Sequence, residues 1–142
     1  MDKTAATSAN SPALAQLAQA AADGKLSATA VKNIRDWLTE PRYAEYAPEV
    51  LAHIAAGKWQ QLDDVFWTVI PFGTGGRRGR MYRIGSNAIN DRTIGESAQG
   101  LADYVTSTLG SGAARSCAIA YDTRHRSEHF ARLCASRCLV SW

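Results

Sequence analysis

The sequence has no run of about eighteen apolar residues, the length a membrane-spanning helix needs, and its start, MDKTAATSANSP, has no apolar stretch of the kind an export signal carries. Both absences point to the cytoplasm. Cysteine is scarce: Cys117, Cys134 and Cys138 are an odd count for a closed disulfide framework, and neither CxxC nor a zinc-type Cys/His spacing occurs. They read as small buried hydrophobes. A metal or redox role stays open because Cys134 and Cys138 share a helical face. Charge of one sign is also in short supply. Sixteen basic residues against 13 acidic ones leave a net +3, too little for a nucleic-acid or membrane binder that uses its whole surface. Any basic function must therefore be local.

What the chain does contain is enough for one domain with a core. It has 142 residues, 46% of them hydrophobic and 20% charged, a balance that argues against wholesale disorder. Residues 1–12 are small and polar and read as a flexible tail. Alanine and leucine then favour a helix over 13–22 that Gly24 stops. Ser27 is placed to cap a second helix with Val31, Ile34 and Leu38 on one face, and Pro41 interrupts it. Pro48 suits the first turn of another helix, in which Val50, Leu51 and Ile54 form a stripe before Gly57. Residues 13–64 are thus a helical lead-in.

From residue 65 the texture changes. VFWTVIPF, residues 65–72, is β-branched and aromatic, and predicts a strand buried on both faces and closed by Pro71. Further on, Thr93 and Glu96 fit a TxxE capping box for a helix bearing Ala98, Leu101, Ala102, Val105 and Leu109, which Gly110 and Gly112 end. SCAIAYD, residues 116–122, predicts a short buried strand, and a last helix runs through SEHFARLCAS. Strand, helix, strand, helix is α/β grammar. The expected fold class is an incomplete α/β/α layered domain, a mixed sheet with flanking helices, over residues 65–142.

Between the first strand and the capping box lies IPFGTGGRRGRMYRIGSNAIND, residues 70–91. Glycines let backbone amides approach a ligand, and arginine forks match phosphate oxygens, so the stretch is a candidate anion cradle. It is neither a Walker loop nor a GxGxxG turn. As an alternative, Arg77, Arg78, Arg80 and Arg83 suit a noncatalytic anion or nucleic-acid binder, whose affinity would fall with salt, a reading the compact cluster and balanced charge elsewhere disfavour. HRSEH, residues 125–129, matches the zinc motif HxxEH through His125, Glu128 and His129, but few residues follow to supply a third ligand. Asp122 and Arg124 of YDTR either share one side of the chain for chemistry or simply pair to hold a loop.

Taken in order, FGTGGRRGRM, GSNAIND and YDTRHRS resemble the opening of the α-D-phosphohexomutases, the phosphoglucomutase and phosphomannomutase group, over about residues 37–135. The resemblance implies an α/β first domain in which Arg78 and Thr74 help bind a phosphorylated sugar, with Gly73, Gly76 and Gly79 shaping the turn, while Arg77 and Arg80 read as surface charges. In that family a phosphoserine passes its phosphate to a hexose phosphate and recovers another, an intramolecular phosphotransfer of carbohydrate metabolism. Magnesium neutralises the moving group there. The family's TASHNP-like serine segment and DxDxDR metal loop do not occur in this sequence, and Ser127 and Ser136 stand in the wrong context to replace the serine. The end SRCLVSW departs from the family pattern and reads as a truncated or out-of-frame end. The expectation is an N-terminal fragment, inactive alone, binding no metal, with no membrane or nucleic-acid partner and with an exposed sheet edge that lowers its solubility.

Overall fold

The structure, a computed structural model, describes residues 11–109 and 113–141. The chain divides into two compact units, Met1–Ile89 and Asn90–Trp142. In the first unit α1 (Ser11–Ala22), α2 (Ala28–Thr39), α3 (Ala47–Ala55) and α4 (Trp59–Phe66) precede a hairpin of β1 (Phe72–Gly73) and β2 (Gly76–Arg77). The second unit holds α5 (Asp91–Leu109) and α6 (Ser127–Ser141), which pack on each other. The expected tail falls mostly on residues 1–10, and the glycine stops at 110 and 112, outside the described residues.

The lead-in helices form for the reasons the sequence offers. α1 closes when the Gly24 N–H donates to the Ala21 carbonyl at 3.0 Å and the Lys25 N–H to that of Ala20 at 2.9 Å, a glycine C-cap that satisfies two orphan carbonyls. Ser27 caps α2 by accepting from the Ala30 N–H at 3.3 Å, and its own N–H donates to Asp63 on α4 at 2.7 Å. Pro41 opens a 3-10 turn, Pro41–Tyr43, and Pro48 stands in the first turn of α3. Around Trp37 the helices close a core: its ring stacks on Tyr43 at 4.7 Å and meets Phe66 edge-on at 5.2 Å. Leu17, Ile34, Val50, Ile54 and Leu62 fill the remainder. Burying one such side chain stabilises by about 1.5–3 kcal/mol, so this cluster dominates the first unit.

Three sequence expectations are corrected. Residues 65–72 do not form one buried strand: Val65 and Phe66 continue α4, where Leu62, Val65 and Phe66 build one buried face at helical spacing, Phe72 opens the exposed β1, and a short apolar run fits either period. Beyond Phe66 the chain is irregular, with Ile70 buried and Trp67 and Val69 exposed. Residues 116–122 are not a buried strand either. Cys117 and Tyr121 are exposed there, and among the described residues no strand pairs with the segment; extended backbone without a neighbour has nothing to bond to. The third correction concerns the capping box, which lies one turn earlier. The Thr93 N–H donates to Asn90 Oδ1 at 3.0 Å while the Asn90 N–H donates to Thr93 Oγ1 at 3.1 Å, and Glu96 instead pairs with Arg92.

Close backbone approach fixes the turn after the arginine loop. Gly85 has φ +110°, and a Cβ there would lie 2.5 Å from the Val65 carbonyl oxygen and 2.6 Å from Val65 Cβ. Gly85→Ala is therefore expected to destabilise the protein by about 2–4 kcal/mol through strain and overpacking. The check is a urea unfolding curve, whose midpoint should fall clearly; an unmoved midpoint contradicts the account.

Candidate functional site

The glycine and arginine loop is a hairpin whose register pairs Phe72 with Arg77 and Gly73 with Gly76, leaving Thr74 and Gly75 at the tip. Gly76 has φ +128°, open to glycine and strained for other residues. At Gly79 a Cβ would come within 2.7 Å of Ile70 Cδ1, so the chain passes close over that buried side chain. Gly73 is exposed beside the tip, within the hairpin pairing.

The four arginines separate. Arg77, half-buried, donates from Nη1 to the Ile70 carbonyl at 2.8 Å and staples β2 to the segment before β1. Arg83 pairs with Glu49 of α3 at 3.1 Å, and the guanidinium of Arg80 lies 5.3 Å from the Tyr82 ring centre. Arg78 is exposed and makes no hydrogen bond or ion pair with a described residue. It lines a hollow of about 220 Å³ with Pro71, Gly73, Thr74, Gly75 and Gly76. An uncommitted guanidinium fork beside glycine backbone is able to receive an anion. The expectation of Arg77 as a surface charge is corrected, since it is engaged in packing.

The following GSNAIND segment acts structurally. The Ser86 hydroxyl donates to the Thr68 carbonyl at 2.7 Å, and the Asn87 N–H and Nδ2 donate to the carbonyls of Val65 and Asp64 at 2.8 and 3.2 Å. Asn90 caps α5. Sequence reasoning also missed His53, which is buried on α3. Its ring nitrogens contact the Glu49 carbonyl at 2.8 Å and the Tyr82 hydroxyl at 2.7 Å. One signal was available, a histidine on the apolar side of α3, but its partner stands 29 residues away.

In the second unit, YDTRHRS is a self-bonded turn. Asp122 accepts from the Arg124 N–H at 3.0 Å and from its Nε at 2.7 Å, so these bonds, with a further one from Ser127, hold its carboxyl below the ordinary 3.8. Asp122 and Arg124 thus hold a loop. His125 precedes α6, Glu128 pairs with Arg132, and His129 Nε2 lies 2.9 Å from Asp91 Oδ1. The HxxEH geometry, with both histidines on one helix face, is not formed. Among the described residues no three His, Cys, Asp or Glu side chains gather to hold a metal. No described helix is long and apolar enough to cross a membrane.

A family model described as phosphoglucomutase/phosphomannomutase, alpha/beta/alpha domain I, matches residues 70–139. This stretch belongs to the phosphoglucomutase/phosphomannomutase family. The chain is 35% identical over 88 residues to a probable phosphoribomutase of Schizosaccharomyces pombe, covering 62% of this chain and 15% of that one. Against a phosphoglucomutase of Staphylococcus epidermidis it is 38% identical over 69 residues, 49% of this chain and 12% of the relative. With a phosphoribomutase of Saccharomyces cerevisiae it shares 30% over 104 residues, 73% and 16% of the two chains. The chain therefore spans between 12% and 16% of the length of these relatives. No solved structure matches it significantly. Membership in this α/β/α domain I family, with helices and a two-stranded sheet in place, gives the incomplete α/β fold class.

Two outcomes follow for the mutase-family loop. Arg78→Ala should leave the urea midpoint within about 0.5 kcal/mol of the parent, as surface changes do, whereas Arg77→Ala should cost about 1.5–3 kcal/mol for a lost charge-assisted bond. Equal effects would contradict the division. For Asp122, the folded pKa is depressed, so its stabilisation is complete above the ordinary 3.8 and is lost as pH falls through the lower folded value. Thermal melts over an acid series should show the gap between the parent and Asp122→Asn narrowing below that point; a gap that widens in acid contradicts the pairing.

Proposed function

We propose that residues 65–142 are part of the phosphosugar-binding first domain of a phosphohexomutase, preceded by a helical lead-in at 13–64, and that Arg78 receives the phosphate ester. The supporting observation is that Arg78, at the place of the FGTxGxRG arginine, has no partner among the described residues and borders the glycine-lined hollow. Its fork donates paired hydrogen bonds to two phosphate oxygens, and Thr74 at the hairpin tip is placed to add a hydroxyl donor. Gly73 and Gly76, which line the hollow, keep side chains out of the approach, while Gly79 lets the chain pass close over Ile70.

The substrate class is a phosphorylated sugar, and the complete activity is transfer of phosphate between its positions in the cytoplasm. These 142 residues lack the phosphoserine segment and the DxDxDR loop, so the chain by itself binds without turnover, as an N-terminal fragment of the enzyme. Magnesium belongs to residues outside this chain. Nucleic-acid binding is disfavoured because Arg77, Arg80 and Arg83 are engaged elsewhere.

The test is a two-dimensional amide NMR titration of the purified chain with glucose 1-phosphate, with inorganic phosphate as competitor. Shifts should concentrate at residues 73–79, and Arg78→Ala should weaken binding about tenfold, the loss of about 1.4 kcal/mol. Binding unchanged by Arg78→Ala would overturn the assignment. With magnesium and a bisphosphate primer added, no turnover is expected; turnover by this chain would refute the fragment reading.

A further inference from the structure

Arginine stands three residues before a serine or threonine at two places in the chain, RIGS at residues 83–86 and RHRS at residues 124–127. That spacing is a charge pattern by which basic-directed protein kinases choose a hydroxyl. The fold separates the two. Ser86 is buried, and its hydroxyl donates to the Thr68 carbonyl at 2.7 Å. Ser127 opens α6 after a stretch, residues 116–125, that is exposed throughout and pairs with no strand among the described residues. Its hydroxyl oxygen accepts from the Asp122 N–H at 3.2 Å, the long end of the range for such a bond. The same serine borders an open hollow of about 600 Å³ that Arg124, Arg126 and His129 also line. Asp122 and Glu128 line it as well, but each is already paired, with Arg124 and Arg132, at 2.7 Å. Arg126, directly before the serine, has φ +60°, a costly conformation for a residue with a Cβ, so opening the turn into the extended form a kinase cleft needs releases strain. The site belongs to the second unit and does not rest on the reading of the arginine hairpin.

We propose that Ser127 is a phosphorylation site for an arginine-directed protein kinase, with Arg124 the residue the kinase reads, and that the phosphoryl group once attached takes Arg124 from Asp122. Ser127 Oγ attacks the γ-phosphorus of a nucleoside triphosphate held by the kinase. The Oγ–P bond forms, the bond from that phosphorus to the β,γ-bridging oxygen breaks, nucleoside diphosphate leaves, and the hydroxyl proton passes to the kinase's base. The product carries about −1.5 to −2 charges and three acceptor oxygens. Arg124 and Arg126 precede it within three residues and line the same hollow, and a phosphate of that charge holds a guanidinium fork more strongly than a singly charged carboxylate does. The Asp122–Arg124 pair that closes the turn is thereby exchanged for one that ties Arg124 to the first residue of α6.

The purified chain is incubated with the catalytic subunit of cyclic-AMP-dependent protein kinase and magnesium ATP, digested with trypsin and weighed by mass spectrometry. The expected product is the tryptic peptide that carries Ser127 and ends at Arg132, heavier by about 80 Da for one phosphoryl group, with Ser86 unmodified. Synthetic peptides covering residues 80–90 and 121–131 should both be modified, because only the fold distinguishes the two serines. Ser127→Ala should abolish incorporation into the chain, and Arg124→Ala should slow it about tenfold. In the modified chain, phosphorus NMR should show the phosphoserine titrating below its ordinary value of about 6, as a neighbouring guanidinium requires. An unmodified chain, phosphate on Ser86 or another residue in place of Ser127, incorporation indifferent to Arg124→Ala, or a phosphoserine titrating at or above its ordinary value would each overturn the proposal.

Discussion

The first unit depends on how the C-terminal end of α4 is satisfied. The last carbonyls of a helix have no partner within it, and burying them bare costs about 1–3 kcal/mol each. Here the buried Asn33 amide of α2 donates to the Phe66 carbonyl at 2.7 Å, while Asn87 takes those of Val65 and Asp64. Each of these bonds constrains the backbone on both sides. α2 is locked to α4, and the chain after the hairpin must return to the helix end, where Gly85 lets it lie against Val65.

That return is what gives the arginine loop its form. With residues 85–87 anchored on α4 and Ile70 donating its N–H to the Ser86 carbonyl at 2.8 Å, the two ends of the loop are held together, and a short hairpin spans the gap. Packing then recruits charge. Arg77 ties the hairpin to Ile70, Arg83 reaches Glu49, and Tyr82 meets both Arg80 and His53. Arg78 remains outside these contacts, so the fold itself separates the guanidinium open to a ligand from those that hold the scaffold.

The second unit uses the same residue types differently. Asp91 at the start of α5 accepts from Arg126 at 2.6 Å and meets His129 at 2.9 Å, which joins the beginnings of α5 and α6. In this way a motif with the spacing of a metal site serves a helix contact. Histidine, glutamate and arginine near a helix start are drawn to the nearest opposite charge, and the sequence separation of 38 residues between Asp91 and His129 hid that partner.

The sequence alone determined the lead-in helices, since Ser27, Pro41, Pro48 and the glycines at 24 and 57 act within a turn or two of themselves. The ordered motifs likewise announced the mutase family. What tertiary structure decided was everything that needs a distant partner. VFWTVIPF was legible as apolar, but not that its first two residues continue α4, because the run is too short to show a period and the bonds that end the helix come from Asn33 and Asn87. For SCAIAYD the missing information was a neighbour to pair with. The roles of the four arginines could not be told apart, for the same reason: composition places charge in a loop, and only contacts far along the chain determine which of those charges the fold consumes.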